Sequence, residues 1–552
     1  MILRGADIII RMLEKLGVQI ISGIPGGSNL PLYDALFGSS IKHILARHEQ
    51  AAGFIAQGIA RSTGETGVCF ATSGPGVTNL LTAVADAKMD SVPIVAFTGQ
   101  VPSKFIGTDA FQEVDAFGLS IPITKHNFLV RSAGDLPFIV SEAYITSKSG
   151  RPGPVLIDIP RDIQSEEAEW DGFIRGVPDF HNDDFDNNAL DKAALKIKNA
   201  ERPLLLAGGG IIHSGADSAL KDLAYKNSIP VISTLMGLGA FPCSDNLFLG
   251  LIGMHGSRSA NIATGKADLI VACGTRFSDR STGKVSEFCR GAEIIHIDID
   301  NSEIGKNKQT DCVLNGDIKK ILLKLLPLIP ANGRKSWKCE IDSLKLKYSE
   351  EIPSTSEILH PANIIGKVRS VVPENTIITT DVGQHQMWVA KWYGFRKPRT
   401  FLTSGGLGTM GFGLPAAIGA ALVNQDKKIV CFTGDGSLLM NIQELAVLSE
   451  HGLNVTLILF NNGNLGLVRQ QQELFYNKHF IASKFIKNPD FCAIGEAFGI
   501  KTFDLSEERD PLTALTFALE CSSPYLVNVP VPETIFALPM VSPGSSNLEM
   551  IG

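Results

Sequence analysis

The chain has 552 residues, 44% hydrophobic and 19% charged, with a formal net charge of −7. That composition fits a globular protein of several domains. It excludes the basic footprint of a nucleic-acid binder, and no apolar run is long enough to span a membrane. Nine scattered cysteines without a CxxC pair read as reduced thiols of a cytoplasmic protein.

An amphipathic helix pattern begins at once, on Ile8, Met12 and Leu16, leaving no room for a leader. Residues 1–165 alternate helical stretches with short strands at 20–21, 44–45, 67–71, 94–98 and 155–159, which predicts a parallel sheet with helices on both faces. Residues 165–190 are polar and acidic, including DDFDNN at 183–188, and read as a linker. Residues 190–330 repeat the alternation, with strands at 203–207, 231–232, 268–273 and 294–299. Residues 331–360 are charged and helix-prone, broken at Pro353 and Ser354, and read as a second linker. A third region covers 361–531, and 532–552 is a tail without periodicity. The predicted fold class is α/β: three doubly wound parallel-sheet domains.

In the first region Glu49 falls in the first turn of a predicted helix, a position that the helix dipole alone favours. Glycine-rich loops follow strands at 23–28 and 72–76. In the middle region Gly208-Gly209-Gly210, Gly253-Met254-His255, Gly274 with Arg276, and the acidic strand end at Asp298-Ile299 each follow an apolar run. Four loops at carboxyl strand edges, with Arg276 and Arg280 beside an acid suited to ribose hydroxyls, suggest a dinucleotide site. A literal GxGxxG at 406–411 is set aside, because its acidic partner would fall near Asp435, which has another use.

The stretch 428–466 is the most informative. Strand 429–432 ends in Thr433-Gly434-Asp435-Gly436. Asn441 and Glu444 read as a capping box, opening a helix with Ile442, Leu445, Ala446 and Leu448 on its apolar stripe. A second strand covers 455–460. A right-handed parallel crossover places both strand ends on one sheet edge, so Asp435 and Asn462 should be neighbours. Oxygen donors from Asp435, Asn462 and the Asn464 carbonyl suit Mg²⁺ carrying a diphosphate, with Gly434, Gly436 and Ser437 at its approach.

GDG followed at this interval by NN resembles the signature of thiamine-diphosphate enzymes. With RHEQAAGFIAQGIAR at 47–61, GTDAFQE at 107–113 and the VxQQQ segment at 468–472, the whole chain resembles the catalytic (large) subunits of the acetolactate, or acetohydroxyacid, synthases, isozyme I type. The resemblance implies thiamine diphosphate, Mg²⁺ and FAD, the last with a structural or vestigial role. The implied reaction decarboxylates pyruvate and joins the two-carbon unit to a second 2-oxo acid, pyruvate or 2-oxobutyrate, toward branched-chain amino acids.

Site roles follow from the same resemblance. Glu49 would hydrogen-bond the aminopyrimidine and promote loss of the thiazolium proton. Phe111 and Gln112 would face the second substrate, with Lys125 nearby. Gly408 and Met410 would contact and bend the cofactor, and Gln384 and His385 would touch its diphosphate end. The loops at 208–210, 253–255, 274–280 and 298–299 would hold FAD with Arg151, Thr234, Leu235, Met236 and Asp317. Three departures stand out: Ser278 where many relatives have Asp, Arg161 where Lys is common, and Gln471 where many carry Trp. The last implies weak preference for 2-oxobutyrate. A homodimer or tetramer and a small regulatory subunit are implied. The alternatives are another pyruvate-using thiamine-diphosphate enzyme, such as pyruvate oxidase, or a catalytically silent scaffold.

Overall fold

The computed structural model describes residues 1–174, 186–349 and 357–552. The acidic residues at 183–185 and the helix break at Pro353 and Ser354 lie outside the described residues. Three six-stranded, all-parallel sheets carry the chain. Their central strands are apolar runs such as Val155–Pro160, buried at every position because helices cover both faces.

The first sheet runs, in space, Lys42–Leu45, Ile20–Gly23, Gly67–Ala71, Ile94–Gln100, Val155–Pro160 and His126–Leu129. The second runs Phe248–Leu251, Val231–Ser233, Pro203–Ala207, Leu269–Cys273, Glu293–Asp298 and Cys312–Asn315. The third runs Phe401–Leu402, Ile377–Thr380, Ile429–Gly434, Val455–Asn461, Tyr525–Pro530 and Lys501–Asp504. The expected strands of the first two regions are all present. His126–Leu129, Phe248–Leu251 and Cys312–Asn315 were not anticipated; all three are short edge strands.

Three expectations need correction. The chain starts with a strand, Ile2–Arg4, before its first helix, and this strand pairs antiparallel with Glu167–Glu169. The beginning of the expected linker therefore belongs to the first domain, where Trp170 is buried. The second expected linker forms the helix its composition favours, Lys335–Lys347, but packs on the middle domain, burying Trp337, Ile341 and Leu344 against Leu204 and Ile270 of its sheet. The tail is a tether. Trp388 Nε1 and Lys391 Nζ donate to the Phe536 and Leu538 carbonyls, while Val541 N–H donates to Met254 O of the middle domain.

The first and third domains meet along two helices, Glu49–Thr63 and Gly413–Val423. Close approach needs glycine: a Cβ at Gly58 would collide with the Ala416 main chain, and one at Gly419 with Ile55. Among the described residues no helix is long and apolar enough to cross a membrane.

Candidate active site and cofactor cavity

Strands Ile429–Gly434 and Val455–Asn461 pair in parallel, so their carboxyl ends open together. Asp435 and the 462–464 loop are neighbours: the Asp435 carboxylate accepts the Gly463 N–H at 2.8 Å and the Asn488 amide at 2.7 Å. Asp435 is only 2% exposed. Burial pushes its pKa up, against the Asn488, Gly436 and Gly463 hydrogen bonds. Asp435 opens a short helix, Asp435–Leu438, directly from the strand. The Asn462 side-chain oxygen accepts the Asn464 N–H at 3.1 Å, and its amide donates to Gln384 at 3.0 Å. That oxygen keeps a second lone pair for a cation.

Three buried polar atoms here have no protein partner: Asn464 Oδ1, Asn488 Oδ1 and His385 Nε2. His385, in the first turn of helix Gln384–Trp392, lies edge-on to Gly434 and is pushed down to about 3 by burial, so it is neutral. Ser437 Oγ donates to Val382 O at 2.8 Å. Gln384 also donates to Gln470 at 2.9 Å. Unmet oxygen and imidazole groups beside a buried carboxylate fit a hard cation and a phosphate anion. The Asn464 side-chain oxygen is available to that fit, while its NH2 group donates to Asn462 O and Glu533.

The capping box does not form. Asn441 makes no cap bond, a 3₁₀ turn occupies Ile442–Glu444, and the helix proper is Leu445–Glu450. Val447, not Ala446, is buried on it.

Glu49 is the first residue of helix Glu49–Thr63. It is half-buried, and its Oε2 accepts the Asn79 amide at 3.0 Å. Gln112, at φ +61, lies against Gly74 of the 72–76 loop, whose Gly76 stands beside Glu49. The Glu113 carboxylate gathers the Gly107, Thr108 and Ala110 amides, and Phe111 between them is 88% exposed. Lys125 does not join this group. Its ammonium donates to Thr146 O at 2.5 Å and Ser149 O at 2.6 Å, at the end of helix Leu136–Lys148, where carbonyls attract a cation. Burial lowers its pKa to about 8. The resemblance places Lys125 near the second substrate; within this chain its ammonium faces two main-chain carbonyls. Arg161 is exposed.

A cavity of about 730 Å³ opens where the three domains meet, within the size range of cofactor pockets. Gly209, Gly210, Thr234, Leu235, Met236, Met254, His255, Gly274, Arg276, Arg280, Asp298, Ile299, Asp317 and Arg151 all line it. Gly208 and Gly253 stand behind this wall. A Cβ at Gly208 would meet the Gly274 carbonyl, and one at Gly253 (φ +101) the Arg280 carbonyl. Arg151 ties the first domain to the middle one through Glu303 at 2.6 Å and Asp300 at 3.2 Å. Burial holds the Asp298 carboxyl up at about 6 and the His255 imidazole down at about 4. His255 Nδ1 has no partner. Two arginines, two acids at strand and helix ends and an unmet imidazole suit an adenine dinucleotide. Ser278 lines the same wall.

Gly408 and Gln471 reach this cavity from the third domain, beside Val382 and Leu467. Met410 is half-exposed, so it is not core filling. Sequence reading missed what holds this loop. Asp86 accepts the Ser404 and Thr409 hydroxyls, and Asp90 accepts the Gly405 and Gly406 amides. Arg61 donates to both carboxylates. The only sequence signal was two aspartates one helical turn apart, Asp86 and Asp90, at the end of helix Pro75–Asp90.

The chain matches three family domains of the thiamine pyrophosphate enzymes: the N-terminal TPP binding domain at residues 3–119, the central domain at 190–325 and the C-terminal TPP binding domain at 381–529. It is 49% identical over 549 residues to the acetolactate synthase isozyme 1 large subunit of Escherichia coli K12, covering 99% of this chain and 97% of that protein. The isozyme 2 large subunit of the same organism is 42% identical, covering 100% and 99%. A probable acetolactate synthase large subunit of Methanocaldococcus jannaschii is 44% identical, covering 98% and 94%.

Proposed function

The chain belongs to the acetolactate synthase large subunits of the thiamine pyrophosphate enzymes, a thiamine-diphosphate-dependent carboligase, and on that premise we propose how its residues carry the reaction. The observation that carries the reading is the Asp435–Asn464 corner, where a buried carboxylate stands among unmet donor groups.

Asp435, Asn462 and Asn464 would hold Mg²⁺, with Gly434, Gly436, Ser437, Gln384 and His385 around the diphosphate. Bound thiamine diphosphate supplies a carbon nucleophile and then an electron sink for loss of CO₂ from pyruvate. Glu49 hydrogen-bonds the aminopyrimidine and holds a proton at its carboxylate. Met410 and Gly408 set the cofactor's shape. Phe111 and Gln112 meet the acceptor 2-oxo acid, and Gln471 leaves space that accepts pyruvate and 2-oxobutyrate with little bias. The three-domain cavity would hold FAD, with a structural role, since the carboligation involves no net redox change.

Membership of this enzyme family supports a homodimer or tetramer with the site shared between two copies of the chain. The relatives' designation as large subunits supports a small regulatory partner. The buried thiols of Cys69, Cys273, Cys289, Cys312 and Cys431 support a cytoplasmic setting. Acetolactate formation from pyruvate, with thiamine diphosphate and Mg²⁺, should be lost in Glu49→Gln; unchanged activity refutes the assignment.

A further inference from the structure

Residues 441–450 are spaced like an ordinary helix start, yet their polar side chains serve another element. Glu444 Oε1 accepts the Arg47 N–H at 2.9 Å. Asn441 Nδ2 donates to Gln50 Oε1 at 3.3 Å and to Gly411 O at 2.8 Å. Glu450 pairs with the Arg47 guanidinium at 2.6 Å. All these contacts fall on residues 47–50, the turn that delivers Glu49, or on Gly411, next to Met410. Glu444 is 0% exposed, and its second oxygen has no partner. Burial raises this carboxyl to about 7, against the Arg47 and His48 main-chain N–H groups and the Arg47 charge, so the groups acting on it belong to the turn itself.

We propose that Glu444 is a positioning residue for Glu49: its carboxylate fixes the strand-to-helix turn at Arg47, and Asn441 links that turn to the Met410 loop. The inference rests on the reading of Glu49 as the catalytic carboxylate. The turn has little else to hold it. His48 caps Gln50 through Nδ1 at 3.1 Å, but Arg47 N–H goes to Glu444 alone among the hydrogen bonds of the described residues. An error of about 1 Å in a reacting group can lower a rate about 10²-fold, whereas pyruvate itself is not touched by Glu444.

The test uses the full-length holoenzyme for kinetics and the cofactor-free chain for amide hydrogen exchange. Glu444→Ala should lower kcat about 10²-fold, leave the KM for pyruvate near wild type, and speed exchange at residues 46–49 with the rest of the first sheet unchanged. Glu444→Gln keeps an acceptor at the same reach and should recover most of kcat and of the local protection. Glu444→Asp keeps the charge but loses the reach and should resemble Ala. The Gln–Asp pair decides the matter even if Ala fails to fold. Wild-type kcat in Glu444→Ala, an Asp variant more active than Gln, or exchange raised uniformly across the sheet would each overturn the proposal. Glu49→Gln is measured alongside. If it stays active, the reading of Glu49 falls and takes this inference with it; if it is dead while Glu444→Ala is normal, this inference alone falls.

Discussion

The two ends of the proposed site are built differently. The diphosphate corner is finished within one chain: Asp435 is 2% exposed, its carboxylate is already gripped by Gly463 and Asn488, and His385 is buried beside Gly434. The acceptor loop is open: Phe111 is 88% exposed and Gln112 sits at φ +61, held from one side by Glu113. A preformed corner suits a cofactor that stays through every turnover. An open loop suits a surface completed by another copy and entered by small acids.

The contrast can be broken at its strongest point first. Glu49→Gln, between the two regions, should lower kcat by about 10²–10⁴-fold, the span of a lost proton-transferring group, as measured by acetolactate formation. Asp435→Ala should weaken Mg²⁺-dependent thiamine diphosphate binding by about 10²-fold or more, read by titration calorimetry, while the fold persists; tight binding without the carboxylate would dissolve the idea of a preformed metal corner. At the open end, Gln471→Trp should shift product ratios toward 2-aceto-2-hydroxybutyrate by about tenfold in a competition assay, with total turnover little changed.

The smallest effect concerns the anchor of the acceptor loop. Asp158 is buried, accepts Thr98 Oγ1 at 2.7 Å and Gln100 Nε2 at 3.0 Å, and Gln100 also donates to Val114 O beneath the loop. Burial holds its carboxyl up at about 7, above the ordinary 3.8. The native state therefore keeps a proton that the unfolded chain releases. This contribution is full below the unfolded value and is lost as pH rises to about 7. Asp158→Asn cannot lose that proton. The Tm of the variant minus that of wild type should grow, by roughly a few degrees, between acid and neutral pH and then level off. A pH-independent difference would show that Asp158 is not the titrating anchor.

The diphosphate corner was legible in the sequence because a βαβ unit ties two loops to one edge by local rules, so GDG and NN could be paired without knowing anything distant. The central strands of the first two sheets were legible as apolar runs, as were Ile429–Gly434 and Val455–Asn461 of the third; Tyr525–Pro530 and the short edge strands His126–Leu129 and Phe248–Leu251 were not. Side-chain direction was the other blind spot. Lys125 was placed near substrate by resemblance, and no sequence pattern showed that its ammonium faces two carbonyls of its own chain. Asn441 and Glu444 matched a capping box but reach across to another domain. The Arg61–Asp86–Asp90 cluster and the tail's tether are made wholly of long-range contacts, which no window of sequence displays.

Subunit mixing tests the central claim most directly: the acid comes from one copy and the metal corner from another. Glu49→Gln and Asp435→Ala homomers, each inactive, are dissociated together and reassociated. Shared sites predict that a hybrid dimer regains one intact site, so the mixture recovers about a quarter of wild-type activity for random pairing of a two-fold dimer. Activity that stays at the sum of the two parents contradicts the account.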